Sequence, residues 1–117
     1  MTTHDLIKRV RTEPENIEFS QVIDVIHHDY QYTASAFSNG DLTNKAGSNE
    51  GSCKIFYFAQ LNRLTETETL ALFGKFYRQD VMQHPDGTDH GNIRNFMATG
   101  WQGIKFDASA LIALNTD

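Results

Sequence analysis

The amino-acid sequence predicts a mostly α-helical, compact single-domain α+β fold with a small two-stranded β element and a long Gly/Ser/Asn-rich loop. Three observations lead to this prediction. A chain of 117 residues is the size of one domain with one hydrophobic core. Hydrophobic residues make up 39% of the chain and include eight Phe, which is enough to fill such a core. Most of these residues recur at helical spacing, so the whole chain, 1–117, is interpreted as one mostly helical domain.

Two helices are predicted before residue 30. In the first, Leu6 and Val10 fall on one stripe, and Pro14 ends the pattern. The second is predicted over about 18–29, because its apolar residues follow the i, i+3, i+4, i+7, i+11 spacing of a single helix face. These residues are Phe19, Val22, Ile23, Ile26 and Tyr30.

Two further helices are predicted in the middle of the chain. The apolar run SCKIFYFAQLNRL, 52–64, has no Gly or Pro and has Ser52 as a plausible N-cap. Thr65 and Glu68 then form the sequence pattern of a capping box and start a long amphipathic helix. Gly74 lies inside that helix, where it suggests the close approach of a neighbouring element.

The last third of the chain predicts a fifth helix and a strand. Asp89 is expected to cap the helix, and Gly100 is expected to close it in the left-handed conformation. WQGIKFD, 101–107, alternates like a strand and is expected to pair with YQYTA, 30–34. The tail, 109–117, is interpreted as a last helical turn or a frayed end.

The long loop is predicted from the Ser-, Thr-, Asn- and Gly-rich segment between Tyr30 and Ser52. It contains the strong turn dipeptide Asn39-Gly40. Loops of this length inside a compact domain are uncommon unless they are functional or mobile. The loop is therefore the first place to expect function, and Asn39 and Asn49 are its candidate binding residues.

Charge and composition exclude several classes of partner. Ten Lys and Arg against fifteen Asp and Glu give 10 − 15 = −5, so the chain lacks the basic surface that binds nucleic acid or anionic lipid. The one cysteine excludes an internal disulfide framework. No glycine-rich phosphate loop and no G-x-S-x-G turn is present, and no cofactor is predicted. The expected partner is a protein or a small molecule, and the eight Phe leave a homodimer possible.

The sequence predicts a soluble protein that is not inserted into a membrane. No stretch approaches the roughly 18 consecutive apolar residues of a membrane span. The start, MTTHDLIKRVRTEPE, lacks the basic cluster and apolar core of a signal peptide. A secretion machine that reads a polar N-terminus would leave no hydrophobic trace, so export stays open.

Cys53 is the first candidate for chemistry. It lies at the predicted start of a helix, where unpaired amides and the helix dipole lower a thiol pKa and favour the nucleophilic thiolate. The candidate base is His90, with Asp89 or Asn92 to orient it, in the order cysteine first and histidine later. The alternative is that Cys53 is a small buried residue of the core beside an Ile-Phe-Tyr-Phe run.

The segment HPDGTDH, 84–90, is a second candidate. His84, Asp86, Asp89 and His90 are residue types that bind zinc, although their spacing matches no tight zinc motif, and no metal is assigned. The alternative explains them as a helix end, a turn and an N-cap. Lys54 and Arg94 are candidate binding residues for an anion, together with the two predicted helix N-termini at Ser52 and Asp89.

Long ordered strings of the sequence resemble the HopJ type III effector family. They are AFSNG (36–40), NKAGSNEGSCKIFYFAQLNRL (44–64), TLALFGKFYRQDV (69–81), HPDGTDHGNIRNFM (84–97) and GWQGIKF (100–106). The similarity is strongest over 19–106, and Ala34 departs from a family pattern in which proline is common. The resemblance implies a bacterial cytoplasmic protein that a type III system can deliver into a host cell. It implies no established activity or ligand.

Two functional hypotheses follow, and they leave open whether the protein is an enzyme. The first is a HopJ-like protein of unassigned activity that acts by binding a partner or a small ligand. The second is a small cysteine-dependent hydrolase or transferase that uses Cys53 with His90.

Overall fold

A computed structural model describes residues 1–114 of the chain. The helices are α1 (Thr3–Thr12), α2 (Phe19–Asp29), α3 (Glu50–Leu61), α4 (Glu66–Ala71) and α5 (Gly91–Thr99). The strands are β1 (Tyr30–Tyr32), β2 (Phe37–Asn39), β3 (Leu42–Asn44), β4 (Ile104–Phe106) and β5 (Leu111–Ala113). Short 3₁₀ turns cover Pro14–Asn16 and Gly100–Gly103, and a π-helical segment covers Phe76–Val81. The predicted mostly helical α+β class is confirmed.

Helix α3 runs through the hydrophobic core. Its residues Ile55, Phe56 and Phe58 are fully buried, which explains why the run is apolar on all sides and carries no clear amphipathic stripe. The Phe56 ring packs against Phe73 and Phe96, with centroids 5.4 and 4.9 Å apart. Within residues 1–114, no helix has both the length and the apolar character of a membrane span.

The β structure is larger than predicted and pairs differently. β2 lies between β3 and β4 in a three-stranded antiparallel sheet, with Phe37 opposite both Asn44 and Phe106. The Asn39-Gly40 dipeptide turns β2 into β3, with Gly40 at a φ of 64°. The expected pairing of 101–107 with 30–34 is therefore wrong, because the hairpin places β2 beside β4 instead.

The segment 30–34 contributes to a second sheet. β1 pairs with β5, with Gln31 opposite Ile112, so the expected helical turn or frayed end is wrong for Leu111–Ala113. Residues 115–117 of that tail lie outside the described residues. Asp29, just before β1, accepts hydrogen bonds from both ends of the fold. The Thr3 N–H donates to Asp29 Oδ2 at 2.8 Å, and the Leu114 N–H donates to the Asp29 carbonyl oxygen at 2.9 Å.

The long helix predicted from Thr65 is interrupted at Gly74. Helix α4 does begin with the predicted Thr65–Glu68 capping box, but it ends at Ala71. Gly74 has a φ of 60°, and a Cβ there would lie 2.8 Å from the backbone nitrogen of Phe19. The predicted close approach is present, and it breaks the helix. The chain then continues as the π-helical segment, in which the wider turn gives the side chains directions that differ from those in a regular α-helix.

Two helices begin at residues other than those predicted. Helix α3 has Asn49 as its N-cap rather than Ser52, and helix α5 has His90 rather than Asp89. Both N-caps have left-handed backbones, with φ values of 50° and 52°, and neither makes a side-chain capping hydrogen bond. Gly100 ends α5 with a positive φ of 61°, but its ψ of −155° is extended rather than left-handed helical.

Candidate functional site

The first turns of α3 and α5 border one pocket of about 330 Å³. The polar residues of its lining, here called the polar wall, are Asn49, Ser52, His90 and Asn92. The aromatic residues of its lining, here called the aromatic wall, are Phe19, Phe73 and Phe76. This volume lies within the range of small-molecule sites, which combine apolar walls with a few placed polar groups. We call this cavity the α3/α5 pocket.

The pocket rests on four hydrogen-bonded asparagines, the asparagine cluster: Asn39, Asn44, Asn49 and Asn92. Asn44 Oδ1 accepts from the side chains of Asn49, at 2.8 Å, and Asn92, at 3.0 Å. Asn92 Oδ1 accepts from the side chains of Asn39, at 3.0 Å, and Asn44, at 3.1 Å. Asn39, Asn44 and Asn92 are buried. The cluster therefore fixes the start of α3 and the start of α5 to the β2–β3 hairpin.

Local sequence explains why both helix starts are exposed to the pocket. A left-handed backbone is tolerated best by Gly and Asn, and Asn49 uses it immediately before α3. Each helix has a glycine in its first turn, with Gly51 at the second position of α3 and Gly91 at the first position of α5. Because neither helix has a side-chain cap, first-turn N–H groups remain available for a ligand.

His90 is held in the pocket wall by a carboxylate from another element. Its Nε2 lies 3.0 Å from Asp80 Oδ2, on the π-helical segment, and 3.8 Å from Asp89 Oδ2. Its ring packs on Phe76 with centroids 5.2 Å apart. The side chain is 27% exposed, so the imidazole is oriented and still reachable from the pocket.

Cys53 lies behind the pocket in the core. It is 1% exposed, and its thiol donates to the Ser35 carbonyl oxygen at 3.7 Å. Burial raises the pKa of the Cys53 thiol above its ordinary value, so the expected lowering is wrong. Cys53 is the fourth residue of α3, and its N–H already donates to the Asn49 carbonyl oxygen. The helix N-terminus therefore does not activate it.

The four candidate catalytic residues occupy different surroundings. Within residues 1–114, no hydrogen bond joins Cys53 to His90. The carboxylate nearest His90 is Asp80, whereas Asp89 Oδ1 lies 2.7 Å from Arg94 Nη2. Asn92 belongs to the asparagine cluster. Of the four, His90 and Asn92 line the pocket.

Lys54 and Arg94 are both engaged elsewhere, so they do not complete the expected anion site. Lys54 Nζ lies 2.9 Å from His27 Nε2, and it stands 4.6 Å from the centre of the Tyr32 ring. Arg94 holds the 84–89 loop by donating to the carbonyl oxygens of Asp89, at 2.6 Å, and His84, at 2.9 Å. The two helix N-termini do meet, as that hypothesis required. Of the other candidate binding residues, Asn49 lines the pocket and Asn39 is buried beneath it.

The histidines and carboxylates of segment 84–90 do not gather around a common point. His84 and Asp86 belong to the turn, where the Gly87 N–H donates to the His84 carbonyl oxygen at 3.0 Å. Across residues 1–114, no group of three or more His, Cys, Asp or Glu is arranged to hold a metal ion.

Sequence reasoning missed three functional candidates. Asp80 is not among the residues that the sequence singles out, because the π-helical segment that carries it has no sequence signature. Ser52 was assigned only as a cap, and Asn44 was not singled out. The high density of Asn in the long loop was the available signal for the cluster, since each asparagine side chain offers both donors and an acceptor to its neighbours.

The comparisons with known proteins agree with this architecture. A model of the HopJ type III effector protein family matches residues 3–111. The chain belongs to the HopJ family. No curated protein matches the sequence. A solved structure described as the crystal structure of unknown function protein VPA0580 is 51% identical and has a TM-score of 0.93. The alignment covers 94% of this chain and 92% of the chain in that structure. The HopJ fold is thus shared with a protein that has no assigned activity.

Proposed function

We propose that this HopJ protein acts by binding a small ligand in the α3/α5 pocket. The observation that carries the proposal is the combination of polar and aromatic residues in the lining of the pocket. Such a pocket suits a compact amphipathic molecule with an apolar body and a head group that accepts hydrogen bonds. The body packs against Phe19 and Phe76, whose rings are 5.1 Å apart. The head faces Ser52 and His90.

Preorganisation supports binding at this place. The asparagine cluster fixes the polar wall before any ligand arrives, so few groups lose freedom on binding. His90 is likewise fixed by Asp80 and Phe76. A ligand head group therefore meets donors that are already oriented.

Benzoate tests the proposal, because it joins one aromatic ring to one hydrogen-bond-accepting head. We expect titration of ¹⁵N-labelled protein with benzoate to shift the amide signals of Gly51, Ser52 and Gly91. Benzyl alcohol, which has the same ring and a neutral head, should bind more weakly. His90→Gln should weaken benzoate binding, whereas His84→Gln, on the exposed turn outside the pocket, should not. Benzoate shifts that are absent, or that fall outside the pocket, would contradict the proposal.

We further propose that the protein is delivered by a type III secretion system, in keeping with the name of its family. A translocation reporter fused to the C-terminus should reach host cells from a type III-competent strain. It should not reach them from a matched strain without the secretion apparatus. Equal transfer from both strains, or none from either, would contradict delivery and leave ligand binding untouched.

A further inference from the structure

Ser52 and His90, a hydroxyl and an imidazole side chain, both line the α3/α5 pocket. Ser52 is partly exposed there, unlike the neighbouring buried Cys53. His90 is hydrogen-bonded through Nε2 to the Asp80 carboxylate at 3.0 Å. A hydroxyl, an imidazole and a carboxylate that orients the imidazole are the three parts that acyl transfer requires.

We propose that Ser52 and His90, positioned by Asp80, hydrolyse small carboxylic esters in this pocket. The proposal rests on the pocket of the proposed function and adds a reaction to it. His90 takes the proton of the Ser52 hydroxyl as Oγ bonds to the ester carbonyl carbon. The carbon–oxygen bond to the alcohol then breaks, and the alcohol leaves with the proton from His90. Water repeats the same two transfers and releases the acid from Ser52.

The Ser52 hydroxyl and one ring nitrogen of His90 are free to react with a substrate. Within residues 1–114, the Ser52 hydroxyl makes no hydrogen bond, and neither does the second ring nitrogen of His90. Over residues 1–114, no hydrogen bond joins Ser52 to His90, although both line the pocket. Catalytic hydrogen bonds are commonly long before substrate binds.

The surroundings of Ser52 match the other needs of the reaction. Ser52 is the third residue of α3, so the N–H groups of this first turn have no intrahelical acceptor. Groups of this kind stabilise the oxygen that becomes negative in acyl transfer. The aromatic wall, with Phe73 and Phe76, is suited to an apolar acyl group. The substrate class is therefore an ester of a small apolar acid.

Phenylmethylsulfonyl fluoride, which sulfonylates activated serines, is the probe for the test. We expect intact mass and peptide mapping to place one adduct on Ser52 of the full chain. Ser52→Ala should remove that adduct, whereas Ser48→Ala, on the exposed loop before α3, should keep it. His90→Gln should slow modification at least tenfold. Turnover of p-nitrophenyl acetate should follow the same order. Circular dichroism of each variant confirms that it is folded.

Asp80 is a positioning residue, and its variant is read differently. Asp80→Asn keeps the size of the side chain and removes the charge beside His90. We expect the sulfonylation rate to fall in Asp80→Asn and to recover in Asp80→Glu, which restores a carboxylate beside His90. Equal rates in these two variants would contradict the place of the Asp80 carboxylate in the mechanism.

The outcomes separate this inference from the proposed function. An unmodified Ser52, or one modified equally fast in His90→Gln, overturns the hydrolytic site. If benzoate still shifts the pocket amides in that case, ligand binding stands alone. Modification of Ser52 that depends on His90 supports the inference even where benzoate does not bind.

Discussion

The side-chain amide of Asn39 donates to two atoms of Asn92, the carbonyl oxygen at 2.8 Å and Oδ1 at 3.0 Å. Both residues are buried, so the two hydrogen bonds form away from water and join the β2–β3 hairpin to the first turn of α5. Among the described residues, Asn39 Oδ1 has no partner. The pair therefore fixes the geometry of the α3/α5 pocket but leaves one buried side-chain oxygen without a hydrogen bond.

Replacement of Asn92 by alanine should destabilise the fold strongly. Asn92→Ala removes the Oδ1 acceptor that the Asn39 and Asn44 amides share, and it removes a donor to Asn44 Oδ1. We expect these losses to cost on the order of 3 kcal/mol. Urea denaturation measures the change in the free energy of unfolding. Asn16→Ala is the control, because the Asn16 side chain is exposed and, within residues 1–114, hydrogen-bonds only to Glu13. Equal losses for the two variants would contradict a structural role for the cluster.

Gly74 should be far less tolerant of a side chain than Gly47. Both have positive φ, 60° and 86°, but an added Cβ meets the Phe19 backbone nitrogen at Gly74 and nothing within 4 Å at Gly47. We expect Gly47→Ala to cost about 1 kcal/mol from backbone strain alone. Gly74→Ala should cost about 3 kcal/mol, because steric overlap is added to the strain. Thermal unfolding of both variants checks the difference, and a smaller effect at Gly74 would contradict it.

Asp29 should make the fold sensitive to acid. Hydrogen bonds from Thr3, then from His28, hold the pKa of the Asp29 carboxyl below its ordinary value of 3.8. Because the pKa of the Asp29 carboxyl is lower in the folded protein than in the unfolded chain, the ionised carboxyl contributes fully to the free energy of unfolding at pH values above its ordinary pKa. This contribution is lost as the pH falls through the lower pKa of the folded state.

Asp29→Asn should therefore reduce stability at about pH 6 more than at about pH 3, which lies below the ordinary carboxyl pKa of 3.8. Urea midpoints at the two pH values measure this. Asp24→Asn, on the exposed side of α2, is the matched control. A loss that is equal at both pH values would show that the charge of Asp29 is not what matters.

Cys53 should resist alkylation in the folded protein. The thiol is buried and its pKa is raised, so both access and the thiolate fraction are low. We expect iodoacetamide at about pH 8 to label Cys53 only after denaturant is added, as judged by intact mass. Rapid labelling without denaturant, lost in His90→Gln, would instead revive the cysteine-dependent hydrolase hypothesis.

Local patterns predicted the helices well. The apolar stripe of α2 and the capping box of α4 depend on residues three or four apart, and both lie where the sequence indicated. The sequence predicts the helix break at Gly74 only in part. The glycine signals a close approach, but only the fold reveals that Phe19 is the neighbour.

Long-range features were beyond local patterns. β1 pairs with β5 across some eighty residues of sequence, and three-residue strands carry too little alternation to indicate a partner. The same holds for the pocket. The sequence identifies His90 as a candidate but not its partner Asp80, because it predicts a regular helix where the structure has the π-helical segment that carries Asp80.

The two hydrogen bonds at Asp29 affect how the two terminal segments unfold locally. One residue holds the first turn of α1 through its carboxylate and the end of β5 through its carbonyl oxygen. Fraying of either terminal segment removes a restraint on the residue that anchors the other. The first turn of α1 and the end of β5 are thus coupled, and they should open together in amide hydrogen exchange rather than as two independent events.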